Sequence, residues 1–383
     1  MWLNQLVTIA AVAASISFII SMLIVVSEKW HGFLSHDHDL AGVQKVHHTA
    51  VPRIGGFAVV GGILGSTLLF WKIWPDILSP SQILAVLMLL LAATPAIIAG
   101  TTEDMTKTVS VRVRLLATIG SALIASAILG ATLSELDIWG VDMLLNVPAI
   151  AVLVTAIVVA GGANAVNIID GFNGLAGSVI LIMSAALGAV GWQVGDNLIA
   201  VLGALGAGTT LGFLLVNFPR GKLFLGDGGA YFLGFWVAEI AVLLLARKPS
   251  VNAWQMLSIC AYPVIEVLFS IYRRRVIKKV SPGAPDALHL HALIYRRVVR
   301  KIIPTPTKLT WLRNATTASL IAPWIAAAAA CSVLFGHSIP VAIFMVSVQV
   351  VLYIAVYRRL VRGRWFRQPR VIPVTPQVNP ELY

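Results

Sequence analysis

Between positions 164 and 177 the chain reads NAVNIIDGFNGLAG. Asn164, Asn167, Asp170 and Asn173 recur every third residue there, closed by glycines, between two long apolar runs. Polar groups in such a place are costly and tend to be functional. Carboxylate and amide oxygens suit a hard cation such as Mg²⁺ and the phosphates it accompanies, and glycines let backbone approach a ligand closely. Four other clusters carry comparable chemistry. They are Lys45, His47 and His48 with Pro52-Arg53-Ile54-Gly55-Gly56; Glu103-Asp104-Met105-Thr106-Lys107; Phe224-Leu225-Gly226-Asp227-Gly228-Gly229; and Asp286-Ala287-Leu288-His289-Leu290-His291. Carboxylates with amides suit Mg²⁺, while cations and backbone N–H groups suit phosphate. A site poor in Cys and rich in carboxylates argues against structural zinc.

The elements that must position these residues are membrane helices. Of 383 residues, 58% are hydrophobic and 11% charged, against about 25% charged in a soluble domain. The apolar runs are continuous and near the length that spans about 30 Å of hydrocarbon, whereas a β-barrel would show short alternating segments. The sequence predicts an all-α polytopic membrane protein with eleven spans, at 3–26, 54–74, 81–101, 114–133, 147–165, 174–193, 198–217, 228–246, 253–272, 313–334 and 338–357. These form a single helical bundle over 1–357, followed by a basic, Pro-containing tail over 358–383. Cys260 and Cys331 both fall in spans and read as packing. No cleavable leader is expected, since the first basic residue is Lys29 and a basic n-region is missing.

The net charge of +12 reads as topology rather than nucleic-acid binding. With the N-terminus outside and the C-terminus cytoplasmic, every Lys and Arg except Lys72, Arg247 and Lys248 falls on the inner side. That is the positive-inside bias, and it adds affinity for anionic lipid headgroups. The same topology brings all five polar clusters to the inner face, which predicts one cytoplasm-facing pocket. Each cluster also has a plainer reading. Glu103-Asp104 could cap a helix and pair with Lys107. Asp170-Gly171 could be a turn, and Asp227 the N-cap of the eighth span. Gly55-Gly56 could serve close helix packing. His289 and His291 stand two apart and so would not share a helix face. Arg273-Arg274-Arg275 and Arg296-Arg297 read as orientation charges. Glu239 and Glu266, inside or near spans, read as internal hydrogen-bond partners rather than catalysts.

In their order along the chain, the motifs resemble those of the polyprenyl-phosphate N-acetylhexosamine-1-phosphate transferases. Asn167-Ile-Ile-Asp170-Gly171-Phe172-Asn173-Gly174 is similar to that family's asparagine–aspartate–glycine signature. Phe224 to Ala230 is similar to its glycine–aspartate signature, and His289-Leu290-His291 to its histidine motif. Lys45, His47 and Pro52 to Gly56 are similar to its first cytoplasmic motif. Two positions depart from the pattern: Glu103-Asp104 stands where two aspartates are common, and Ala292 where a third histidine is common. Asn173, where the phospho-muramyl-pentapeptide translocases typically have Asp, resembles the branch that initiates O-antigen and related surface glycans.

The resemblance implies attack of undecaprenyl phosphate on the β-phosphate of a UDP-sugar, giving a polyprenyl-diphospho-sugar and UMP, at the inner membrane of a bacterium. It implies Mg²⁺, with Mn²⁺ as the alternative, held by Asp227 with Asp104. Asp104 would deprotonate or orient the lipid phosphate, or act as a covalent nucleophile. Asp170 and Asn167 would organise metal and diphosphate. Asn173 and Phe224 would hold uracil, and His289, His291, Lys45 and Arg53 would contact phosphates or sugar. The partners would be lipid, UDP-sugar and, as an open alternative to a monomer, a second copy of the chain. The competing readings are the muramyl-pentapeptide translocase, a cation-coupled secondary transporter, and a non-catalytic scaffold.

Overall fold

The computed structural model describes residues 2–35, 51–277, 279, 286, 288–304 and 310–362, and among these it contains helices and no strand. Lys45, His47, His48 and the tail beyond residue 362 lie outside the described residues. The first long helix, α1 (Trp2–Val26), is followed by the short α2 (Glu28–Ser35) and by α3 (Gly55–Lys72). Next come α4 (Pro80–Ala92), α5 (Thr94–Thr106), α6 (Val111–Leu129) and the one-turn α7 (Val141–Leu145). Four long helices then run in succession: α8 (Pro148–Ile169), α9 (Leu175–Gln193), α10 (Asn197–Asn217) and α11 (Gly226–Arg247). The remainder comprises α12 (Ala253–Ile259), α13 (Ala261–Tyr272), a π-turn at Arg273–Ile277, α14 (Leu290–Ile294), a second π-turn at Tyr295–Val299, α15 (Arg300–Ile302), α16 (Thr310–Phe335) and α17 (Ile339–Val361).

Nine of the described helices are long and apolar enough to cross a membrane, or up to eleven if each of two bent pairs counts as one span. The protein is a multi-pass helical membrane protein. The bent pairs fall on the spans expected at 81–101 and 253–272, and counting each as one gives the eleven read from the sequence. Between α4 and α5 the axis turns by 45°. Pro95 lacks an N–H and its ring clashes with the carbonyl four residues back, that of Leu91, which instead accepts a hydrogen bond from the Thr94 hydroxyl at 2.8 Å. Between α12 and α13 the bend is 85°, with Pro263 in the first turn of α13 for the same reason.

α11 is the central helix. It contacts α3, α5, α6, α8, α9 and α10, and Phe232, Phe235 and Trp236 on it are fully buried. α1 and α17 are peripheral and expose long apolar stretches, such as Leu3, Val7, Leu23, Phe344 and Val351. In a bilayer such surface faces lipid rather than water, so it is unexceptional. The ends of α11 are therefore fixed by six neighbours, and its N-terminal end carries the candidate site.

Candidate active site

Asp104, in the last turn of α5, is 5% exposed. Its Oδ1 accepts the backbone N–H of Asp227 at 2.9 Å, and its Oδ2 accepts that of Gly228 at 3.0 Å. A helix start has N–H groups without intrahelical partners, so Asp104 caps α11 from a different helix, and its charge opposes the positive end of the helix dipole. Close approach makes this possible. Gly226 has φ +76°, and a Cβ there would stand 2.6 Å from Asp104 Oδ2; Gly100 meets Gly228 backbone to backbone. The plainer reading of Asp227 as its own helix's N-cap is thus corrected: Asp104 is the cap, and the Asp227 side chain is left for other partners.

Those partners are cationic. Arg53 NH2 lies 3.4 Å from Asp227 Oδ1 and 3.5 Å from Asp104 Oδ1. Arg114, in the first turn of α6, donates from NH1 to Asp227 Oδ2 at 2.5 Å and lies 3.9 Å from Glu103 Oε1. Glu103 Oε2 accepts the Val109 N–H at 2.9 Å, closing the connection from α5 to α6. The Pro52–Gly56 segment is zipped to the glycine–aspartate motif by backbone bonds. Phe224 N–H donates to Pro52 O at 2.8 Å, Gly55 N–H to Phe224 O at 2.9 Å, and Gly56 N–H to Leu225 O at 2.9 Å. Arg53 is aimed by that ladder.

Asp170 forms the C-cap of α8, with Asn167 one turn earlier on the same face. Burial pushes the Asp170 carboxyl up to about 7; the charge of Arg53 opposes this and those of Asp227 and Asp104 add to it. The carboxylates thus share one electrostatic centre. Asn164 does not join it; its amide donates to Thr118 Oγ1 and Ala160 O, tying α8 to α6. Asn173 is 1% exposed. Its N–H donates to Asn314 Oδ1 and its side-chain amide to Pro219 O at 3.1 Å, while its own Oδ1 has no partner. Phe224, bonded to the Pro52–Gly56 segment, is half-buried.

The histidine motif differs from the sequence reading. His289 is extended (φ −62°, ψ 149°) and precedes α14, so helix-face geometry does not apply to it. The rings of His289 and His291 stack 5.3 Å apart at 6°. Both face Glu266, whose Oε1 lies 2.9 Å from His289 Nδ1. Arg273 is likewise no orientation charge: it is buried, ion-paired with Asp286, and donates to Leu288 O and Tyr357 Oη. Of the two intramembrane glutamates, Glu266 has the internal partner expected, whereas both carboxyl oxygens of Glu239 lack one.

Sequence reasoning missed Arg114 and Asn314. Arg114 stands at a span boundary, where every cation also serves topology; its spacing from Glu103 carried no motif. Asn314 opens a distant span and shows no pattern at all.

Among the described residues no three His, Cys, Asp or Glu side chains could hold a metal ion together. A cation here would therefore also need oxygens from phosphate and water, which is how Mg²⁺ usually binds. The donor chemistry fits: Glu103, Asp104, Asp170 and Asp227 supply hard oxygens, and their charge exceeds that of Arg53 and Arg114.

The family model described as Glycosyl transferase family 4 matches residues 86–245, which span α5 to α11 and hold three of the motifs. A Bacillus subtilis protein named as a probable undecaprenyl-phosphate N-acetylglucosaminyl 1-phosphate transferase is 28% identical over 65% of this chain and 66% of its own length. An undecaprenyl-phosphate alpha-N-acetylglucosaminyl 1-phosphate transferase of Thermotoga maritima is 27% identical over 74% of this chain and 80% of its own. A Mycobacterium tuberculosis decaprenyl-phosphate N-acetylglucosaminephosphotransferase is 28% identical over 66% and 69%. The matches span about two thirds or more of these relatives' lengths. With the motifs assembled around one helix end, the chain is similar to glycosyl transferase family 4 over residues 86–245 and to these N-acetylglucosaminyl 1-phosphate transferases over about two thirds or more of its length.

Proposed function

We propose that this protein transfers an N-acetylhexosamine-1-phosphate from a UDP-sugar to undecaprenyl phosphate, starting a lipid-linked surface glycan. The observation that carries the reading is the union of Asp104, Asp170 and Asp227 with Arg53 and Arg114 at the N-terminal end of α11. The reading is supported by the names of the relatives and by the amount of α5 to α11 that the family model matches. An oxygen of the lipid phosphate attacks the β-phosphorus of the donor. The bond from that phosphorus to the oxygen bridging the α-phosphate breaks, and UMP leaves with the bridging oxygen.

The residues contribute alignment and charge. Arg53 and Arg114 are placed to take phosphate oxygens when these displace the carboxylates, a geometry guanidinium suits. Asp104, with one backbone N–H on each oxygen, is an ionised acceptor that positions Asp227, which favours an orienting role over a nucleophilic one. Asp227 with Asp170 or Asp104 would hold Mg²⁺. When bound, the ion shields phosphate oxygens and neutralises charge as the transition state forms. The pocket faces the cytoplasm of a bacterial inner membrane in this reading, because the basic loops lie on its side.

The test is transfer from a panel of radiolabelled UDP-sugars to undecaprenyl phosphate by purified protein, with Mg²⁺ or with EDTA. A lipid-linked product and UMP, both lost in EDTA, are expected. No product from any donor, with folded protein and Mg²⁺, would remove the transferase reading. The donor turned over fastest names the sugar.

A further inference from the structure

Glu266 on α13 is a carboxylate 1% exposed within an apolar helix. Such a charge persists only where partners satisfy it. The histidine motif supplies them. Besides His289 Nδ1, Glu266 Oε1 accepts the Leu290 backbone N–H at 3.0 Å, and Oε2 lies 3.8 Å from His291 Nδ1. An ionised carboxylate has no hydrogen to give, so His289 Nδ1 carries the hydrogen of its bond. At His291 the same carboxylate repels a lone pair and attracts an N–H, which favours a hydrogen on Nδ1 there too. Two stacked rings disfavour two positive charges, and burial pushes His291 down to about 4, with Glu266 opposing.

The other nitrogen of His291 points elsewhere. A Cβ on Gly171 would stand 4.0 Å from His291 Nε2, and the ring meets Phe172 edge-on with centroids 5.6 Å apart. Nε2 therefore faces the turn that carries Asp170. Behind the pair, Asp286 Oδ2 lies 3.8 Å from His289 Nε2 and is itself ion-paired with Arg273. The rings are fixed from behind, and one lone pair is left at the front.

We propose that Glu266 is a positioning residue that holds His291 as its Nδ1–H tautomer, so that Nε2 accepts a hydrogen bond from a hydroxyl or amide N–H on the transferred sugar. The inference rests on the transferase reading and sharpens it. A neutral imidazole with a bare Nε2 cannot donate to a phosphate oxygen, so His291 reads the sugar while Arg53 and Arg114 are left for the diphosphate. Removing the matching hydroxyl or amide from the donor leaves a buried acceptor unpaired, which makes the contact a specificity determinant.

The experiment is histidine ¹⁵N NMR on the full chain in nanodiscs, with His289 and His291 assigned by their variants. His291 is expected as the Nδ1–H tautomer near neutral pH; a hydrogen on Nε2 of His291 overturns the proposal. The second arm is kinetic. In Glu266→Gln the amide N–H₂ can face His291 Nδ1 only as a lone pair, which moves the hydrogen to Nε2. The donor KM should then rise about tenfold, the scale of one neutral hydrogen bond, with kcat within about threefold, and Glu266→Asp should restore much of it. An unchanged KM in Glu266→Gln overturns the proposal. Donor analogues lacking one sugar hydroxyl or the acetamido N–H give a third arm: one analogue should be penalised by the wild type and no further by His291→Ala. Absence of transfer by the wild type would remove the transferase reading and leave the tautomer result standing, whereas normal transfer with the wrong tautomer removes only this proposal.

Discussion

α11 has an ionic cluster at each end, and the two are built on opposite principles. At its C-terminal end, Arg247 donates to Asp196 through Nε at 2.7 Å and NH2 at 3.3 Å. Asp196 also accepts the N–H groups of Leu198 and Ile199, capping α10. One carboxylate meets one guanidinium and one helix start, and every acceptor has its donor. At the N-terminal end, three carboxylates meet two guanidiniums, and both arginines reach more than one acid. The first arrangement is complete in itself. The second holds surplus negative charge in a poorly solvated place, a cost that makes sense where a cation and phosphates complete it. The comparison teaches that a buried ion pair is not a functional signal by its presence; its imbalance is.

Four substitutions and one change of condition would break or sharpen that contrast. The largest effect belongs to Asp227→Asn, which removes charge at the unbalanced end without changing size. Transfer activity should fall by at least about a hundredfold, the scale of losing one group that stabilises developing charge, while circular dichroism stays as in wild type. Near-normal turnover would take Asp227 out of the scheme. Asp104→Asn should lose activity similarly, but also lower the unfolding free energy by about 1–3 kcal/mol, since one of its two capping N–H groups is left unmatched.

Next is Arg114→Gln, which frees Asp227 Oδ2. Turnover should drop about tenfold, as for a charged hydrogen bond lost, while half-activation shifts to lower Mg²⁺ concentration because a competitor for the carboxylate is gone. An unchanged Mg²⁺ dependence would mean that Arg114 and the ion do not share Asp227. At the balanced end, Asp196→Ala should lower stability by about 1–2 kcal/mol through the lost cap and leave kcat/KM within about twofold. A large loss of activity there would contradict the assignment of that end as structural.

The smallest effect is on pH. The Asp170 carboxyl is raised from its ordinary 3.8 to about 7, so the folded protein holds a proton that the unfolded chain releases. Without divalent cation, its contribution to stability is full below about pH 4 and is lost as pH rises through 7. Thermal melts of wild type should therefore fall relative to Asp170→Asn across that window. Parallel curves would contradict the burial of this carboxyl.

Much of this was legible in the chain. Long uninterrupted apolar runs have few physical solutions, so membrane helices followed directly. The candidate acids were legible because Asp104, Asp170 and Asp227 interrupt or abut such runs, where charge is costly. The kinks at Pro95 and Pro263 were visible as prolines but not as bends, because a proline inside a membrane helix can be absorbed in several ways. Arg114, Asn314 and the service of Glu266 to the histidines were not legible. Their partners are 113, 141 and 23 residues away in the chain, and nothing local to each encodes that distance.

The sequence by itself determined that the chain spans a membrane, which groups sit at span ends, and which family its motifs resemble, because hydropathy and motif spacing are local. Only the tertiary structure decided who meets whom. It made Asp104 the cap of a helix it is not part of and set Arg114 on Asp227. It also turned two histidines two residues apart into one stacked pair on a buried glutamate. Those outcomes depend on how six helices close around α11, and packing of that kind is a property of the whole bundle rather than of any segment.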